Sequence, residues 1–124
     1  MPGPALAATE ALVVATKPEQ SSPNAFEVAI LQAMARERPS LELDFNHLAV
    51  RRRAYTGVGS YTDFLCAPSG ERKSFGLKAP ITVPGVPKGM GAVLFCRGQR
   101  PECLETFTCG EHYWAGTSEG FSVG

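Results

Sequence analysis

The pattern of hydrophobic and polar positions changes its period once along the chain. Between Asn24 and Glu37 the apolar residues Phe26, Ile30, Ala33 and Met34 recur at helical spacing, and Leu31 and Ala35 widen the stripe. Asn24 with Glu27 three residues later predicts a capping box at the start of this helix. A shifted start, with Ser22 as cap and Pro23 in the first turn, fits as well. Arg36 and Arg38 suit the C-terminal end of the helix dipole, and Pro39 stops the helix. Ser40 to His47 fits either a short second helix capped by Ser40 or a strand with Leu41, Leu43 and Phe45 alternating; the helix is preferred.

From Leu48 the period becomes two. Val50, Ala54, Thr56, Val58, Ser60, Thr62 and Phe64 share one parity, and Arg51, Arg53, Tyr55, Tyr61 and Asp63 the other. Arg52 is the exception on the apolar parity. Two geometries suit Tyr55 to Phe64, a hairpin turning at Gly57-Val58-Gly59 or one long strand bent there by a glycine bulge. Continuity of parity through the glycines favours the bent strand. Phe75 to Val83 predicts a short strand, and Pro84 to Gly89 a stiff turn that can flank only an edge. Gly91 to Cys96 is apolar on both parities, as in a central strand covered on both faces, by the helix on one and a partner on the other. Arg97 to Pro101 reads as a hairpin loop, Cys103 to Cys109 as the returning strand, and Phe121 to Val123 as a last short strand. The expected architecture is α+β, with one or two N-terminal helices on an antiparallel sheet of about four to six strands. Residues 1–23, rich in Ala, Pro, Thr and Ser, read as a flexible leader, and residues 24–124 as one domain.

Three patches carry a family likeness. They are Tyr55-Thr56-Gly57-Val58-Gly59-Ser60-Tyr61-Thr62-Asp63-Phe64, the Pro-Gly-x-x-x-Gly-x-Gly-x-Val-Leu-Phe segment from Pro84 to Phe95, and Leu104-Glu105-Thr106-Phe107-Thr108 before Gly110. In order and spacing, after a helix, they resemble a family of small uncharacterised bacterial proteins. The likeness spans roughly residues 25–123 and implies a single-domain, bacterial, intracellular protein. It brings no activity or cofactor, and the Cys and His positions are not part of its pattern.

Composition narrows the picture further. At 124 residues the chain is one domain able to bury a core without disulfide or metal. Twelve basic and twelve acidic side chains cancel, so no global field draws the protein to nucleic acid or an anionic membrane. A chain near neutrality favours self-association, and a homodimer is a fair expectation. Ala5 to Ala8 and Ala11 to Ala15 are faintly signal-like, but no Lys or Arg precedes them and Glu10 interrupts the run. A cytoplasmic location, with the four cysteines reduced, is therefore expected.

Candidate chemistry is sparse. The glycine pair lacks the following helix and Gly-Lys-Ser/Thr of a phosphate loop, so a sheet bend or a close backbone approach is the plainer reading. A ligand-binding reading places Thr56, Gly57, Gly59 and Ser60 around a shallow site, with Arg52 and Trp114 as further contacts. Arg52 on the apolar parity calls for a buried carboxylate, and Glu105 is the predicted partner, with a weak acid–base role in a cleft as its sharper form. Cys103, Cys109 and His112 make the nearest approach to a metal set, without the short gap of zinc sites. No nucleophile elbow or His-Glu-x-x-His occurs. The chain thus reads as a small partner-binding or accessory domain without catalysis or cofactor. A small-molecule-binding protein or enzyme with a cleft near Thr56 to Ser60 and Glu105 is the alternative.

Overall fold

The computed structural model describes residues 21–124 except 42, 45, 46 and 67–69. One helix, α1 (Ala25–Glu37), lies on an antiparallel sheet of seven strands: β1 (Val50–Tyr55), β2 (Gly59–Phe64), β3 (Arg72–Gly76), β4 (Ile81–Thr82), β5 (Met90–Arg97), β6 (Arg100–Thr108) and β7 (Ser122–Val123). The sheet runs β1-β2-β6-β5-β4-β7, with β3 beside β4 on the same flank of β5. The α+β class and the antiparallel sheet stand as read from the sequence, but the molecule is mostly sheet.

The helix begins where the capping box places it. Glu27 N–H donates to Asn24 Oδ1 at 2.8 Å, and Asn24 N–H donates back to Glu27 Oε1 at 2.9 Å. Phe26, Ile30, Leu31, Ala33 and Met34 point into the core against Val50, Ile81, Leu94, Cys96 and Leu104. Each of the larger of these side chains contributes about 1.5–3 kcal/mol by leaving water. At its far end the Glu37 carboxylate accepts from the backbone N–H groups of Lys78 and Ala79, both at 2.9 Å, and Arg38 stacks over Phe75 at 4.2 Å. Thirteen residues of helix, about 20 Å long, therefore bridge the sheet from β1 and β2 to the approach of β4. Glu37→Ala removes the acceptor of both amides and is expected to lower stability by about 1 kcal/mol in denaturant unfolding. An unchanged midpoint would rule out the latch.

Three expectations are corrected. The second helix over Ser40 to His47 is absent among the described residues, where turns closed by Arg38 O to Leu41 N and Asp44 O to His47 N take its place. Among the described residues of this stretch, Leu41 is buried in the core and Leu43 packs against it. The glycine stretch is a hairpin and not one bent strand, because β1 and β2 pair from Tyr55↔Ser60 back to Val50↔Phe64. A register shift between Val50 and Arg52 reverses the faces of β1, so Arg53 and Tyr55 point inward and Arg52 outward. Within one chain α1 covers one face of β5, and Phe95 on the other, the face left to a partner in the sequence reading, is 37% exposed.

At the other boundary of the described region, Ser21 exchanges backbone hydrogen bonds with Val50, so this part of the expected leader is tied to the edge of β1. The rest of the leader, residues 1–20, lies outside the described residues.

Candidate functional site

The glycine turn is built for closure. Gly57 has φ 89°, Thr56 N–H donates to Gly59 O at 3.0 Å, and a first central glycine at positive φ suits the tight two-residue turns of hairpins. The turn's two carbonyls are then taken up by the C-terminal segment: Trp114 N–H donates to Gly57 O and Thr108 N–H to Val58 O, each at 2.8 Å. At Gly59 the neighbouring strand comes so close that a Cβ would collide with the Thr106 carbonyl oxygen. The hydroxyls of Ser60 and Thr106 are buried against each other at 2.6 Å. Thr56 is exposed, and its Oγ1 accepts from Val58 N–H at 3.4 Å. These residues form no shared cleft.

Trp114 is likewise a core residue. It is 5% exposed, its Nε1 donates to Thr117 O at 2.7 Å, and its ring packs with Phe26 and Tyr55. Phe121 closes the same aromatic cluster against Phe26, with centroids 5.2 Å apart.

The expected pair of Arg52 with Glu105 is also corrected. Arg52 faces outward and meets Asp63 at 3.2 Å. Glu105 lies opposite Tyr61 in the ladder and accepts from its hydroxyl at 3.1 Å, on the face away from Ser60. Hydrogen bonding to the Glu105 carboxylate raises the pKa of the Tyr61 phenol. The buried ion pair uses Arg53, the sequence neighbour of Arg52, and Glu27 of α1 instead. The Arg53 guanidinium donates twice to Glu27, at 2.7 and 2.8 Å, and Thr62 Oγ1 adds a third bond at 2.7 Å. With the Asn24 amide, the Glu27 carboxylate accepts four hydrogen bonds. Those bonds raise the Arg53 pKa, burial opposing them. Buried Thr108 donates to His112 O at 2.7 Å, so each buried hydroxyl and carboxylate of this inner stripe is matched within the protein. Such a stripe fixes the register of helix on sheet and presents no acid, base or nucleophile to a substrate.

Cys103 and Cys109 stand six residues apart on and just beyond β6, roughly 20 Å along an extended chain, and cannot share an ion. Cys103 pairs in the ladder with Phe95 and Cys96 with Pro101, so the thiols that flank the β5–β6 hairpin do not face each other. Burial is the first cause that pushes the Cys96 thiol up to about 11 and the Cys103 thiol up to about 12. Both stay protonated near neutrality and are poor nucleophiles. In the unfolded chain they ionise near pH 9, so their stabilising effect is intact below that pH and is lost as the pH rises through 11 to 12. Thermal unfolding is therefore expected to weaken progressively above pH 9, less steeply in Cys103→Ala. A melting temperature flat from pH 8 to 11 would contradict the assigned burial.

What remains outward is a sheet face. Tyr61, Phe95 and Phe107 are exposed on it at 42%, 37% and 37%, beside half-buried Val93, with Leu65 just past β2 at 41%. The Phe107 ring lies over Gly91, where a Cβ would meet it at 2.5 Å. The charged groups of this face are matched locally, Arg52 to Asp63 and Glu105 to the Tyr61 hydroxyl. The sequence reading left the second face of β5 to a partner without naming its residues; the alternation of Tyr61, Glu105 and Phe107 was the signal that could have named them.

No protein-family model matches the chain, and comparison with curated proteins and with solved structures likewise finds no match. No helix among the described residues is long and apolar enough to cross a membrane.

Proposed function

We propose that this chain is a non-enzymatic binding domain of the cytoplasm that works through its outer sheet face, and that the partner is a second copy of itself. The observation that carries the reading is the apolar outer face of β2, β6 and β5, opposite the only face that α1 covers. Three strands of this length give a face of roughly 14 by 25 Å, on the order of 350 Å², the apolar centre of an interface whose usual size is about 800 Å² per partner. A formal net charge of zero puts no repulsion between copies. Locally matched charges leave that face neutral, which suits two identical surfaces meeting about a two-fold axis. The likeness to small bacterial proteins points to the same intracellular setting and adds no activity.

Light scattering on a sizing column tests this. The wild-type chain is expected at twice the 13.2 kDa monomer mass. Tyr61→Lys and Phe107→Lys, each placing a charge in the centre of the face, are expected to shift it to the monomer with α1 and the sheet intact by circular dichroism. A wild type that stays monomeric at high concentration overturns the reading.

A further inference from the structure

At the end of the sheet opposite the glycine turn lies a groove of about 590 Å³, within the range of small-molecule sites. It lies where β2 and β3 flank the β5–β6 hairpin on opposite sides. Gly98 N–H donates to Glu71 O at 2.8 Å just before β3.

We propose that this groove binds a small amphipathic anion, with a carboxylate or phosphate head and an apolar body of several carbons. Three cations line it: Arg51 from β1, and Arg72 and Lys73 from β3. Among the described residues, none of the three is in an ion pair or a side-chain hydrogen bond. The two carboxylates of the lining are already engaged, Asp63 by Arg52 and Glu102 by Arg97, each at 3.2 Å. Positive charge is thus left over in the groove of a chain whose total charge is zero. Ser74 adds a hydroxyl beside the β3 cations. Between the two basic ends, Leu65 and Phe95 offer an exposed apolar floor.

The neighbouring thiols add no negative charge, since burial raises the pKa of Cys66, Cys96 and Cys103 alike. A head group that pairs with Arg72 or Lys73 therefore meets no thiolate, and the lining carboxylates Asp63 and Glu102 are already held by Arg52 and Arg97, while the apolar body lies over surface that water now covers.

Titration of the full chain with octanoate, octyl phosphate and octanol, followed by calorimetry and by thermal shift, tests the proposal. The two anions are expected to bind saturably at one site and to raise the melting temperature, while octanol of the same chain length does neither. Comparison of octanoate with octyl phosphate tells a carboxylate site from a phosphate site. The double variant Arg72→Glu, Lys73→Glu is expected to weaken the preferred anion at least about tenfold. Both side chains are exposed, so the fold should survive, and an unchanged circular dichroism spectrum checks this. Octanol binding as well as the anions, or the double variant binding them unchanged, overturns the proposal. Affinity for vesicles of anionic phospholipid without affinity for the soluble anions also overturns it. Repeating the titration on Tyr61→Lys separates this result from self-association, because that substitution lies outside the groove lining.

Discussion

Glu27→Ala is expected to cost about 3 kcal/mol, near the lower end for breaking a buried ion pair because Arg53 keeps some exposure. For a domain of this size that is a fall of roughly 10 °C in the melting temperature. One carboxylate holds two donors of Arg53, the Thr62 hydroxyl and the first free amide of α1. Truncation leaves all of them without an acceptor and opens a gap between α1 and β2. Glu27→Gln is expected to cost less, since the amide oxygen can serve Thr62 or the cap but no longer neutralises the guanidinium. Arg53→Met in the Glu27→Ala background should add little, because the charge it removes is by then unpaired. Denaturant unfolding of wild type, Glu27→Ala, Arg53→Met and the double variant forms a double-mutant cycle. Additive losses would show that the pair is not coupled.

Gly59→Ala should be at least as damaging, about 3 kcal/mol or more in denaturant unfolding, with a lower yield of folded protein expected. The added methyl group meets the backbone carbonyl of Thr106, in a strand that cannot retreat because β5 pairs with its other side. Gly57→Ala provides the contrast. There the space is open, and the cost comes from forcing a side chain into φ 89°, about 1–2 kcal/mol. Two glycines one residue apart are thus required for different reasons, one for its conformation and one for its lack of a Cβ. Equal losses at the two positions would refute this division of roles.

These sites show how legibility depended on locality. The capping box of Asn24 and Glu27 was readable because its partners are three residues apart. The second duty of Glu27, 26 residues from Arg53 and 35 from Thr62, was not. The triple arginine run displayed the right chemistry at the wrong member. Parity counting places Arg52 inside, and one irregular residue near Val50 moves Arg53 there instead. With that shift the sought carboxylate changes from Glu105 to Glu27. The groove was equally hidden, since Arg51 and Lys73 belong to strands far apart in sequence that only the sheet order brings around one hollow.

By itself the sequence determined the local events: the helix with its cap and stop, the strands β5 and β6, the apolar stripes, and the close approach that the glycine stretch allows. Each rests on backbone geometry or on periodicity within a dozen residues. The strand read over Phe75 to Val83, by contrast, is two, Arg72–Gly76 and Ile81–Thr82. Tertiary structure decided whether the glycines bend a strand or turn a hairpin, which arginine is buried, and that Trp114 serves the core. It also decided which sheet face has a helix over it. Those outcomes depend on register between distant strands, where a shift of one residue exchanges the two faces of the sheet.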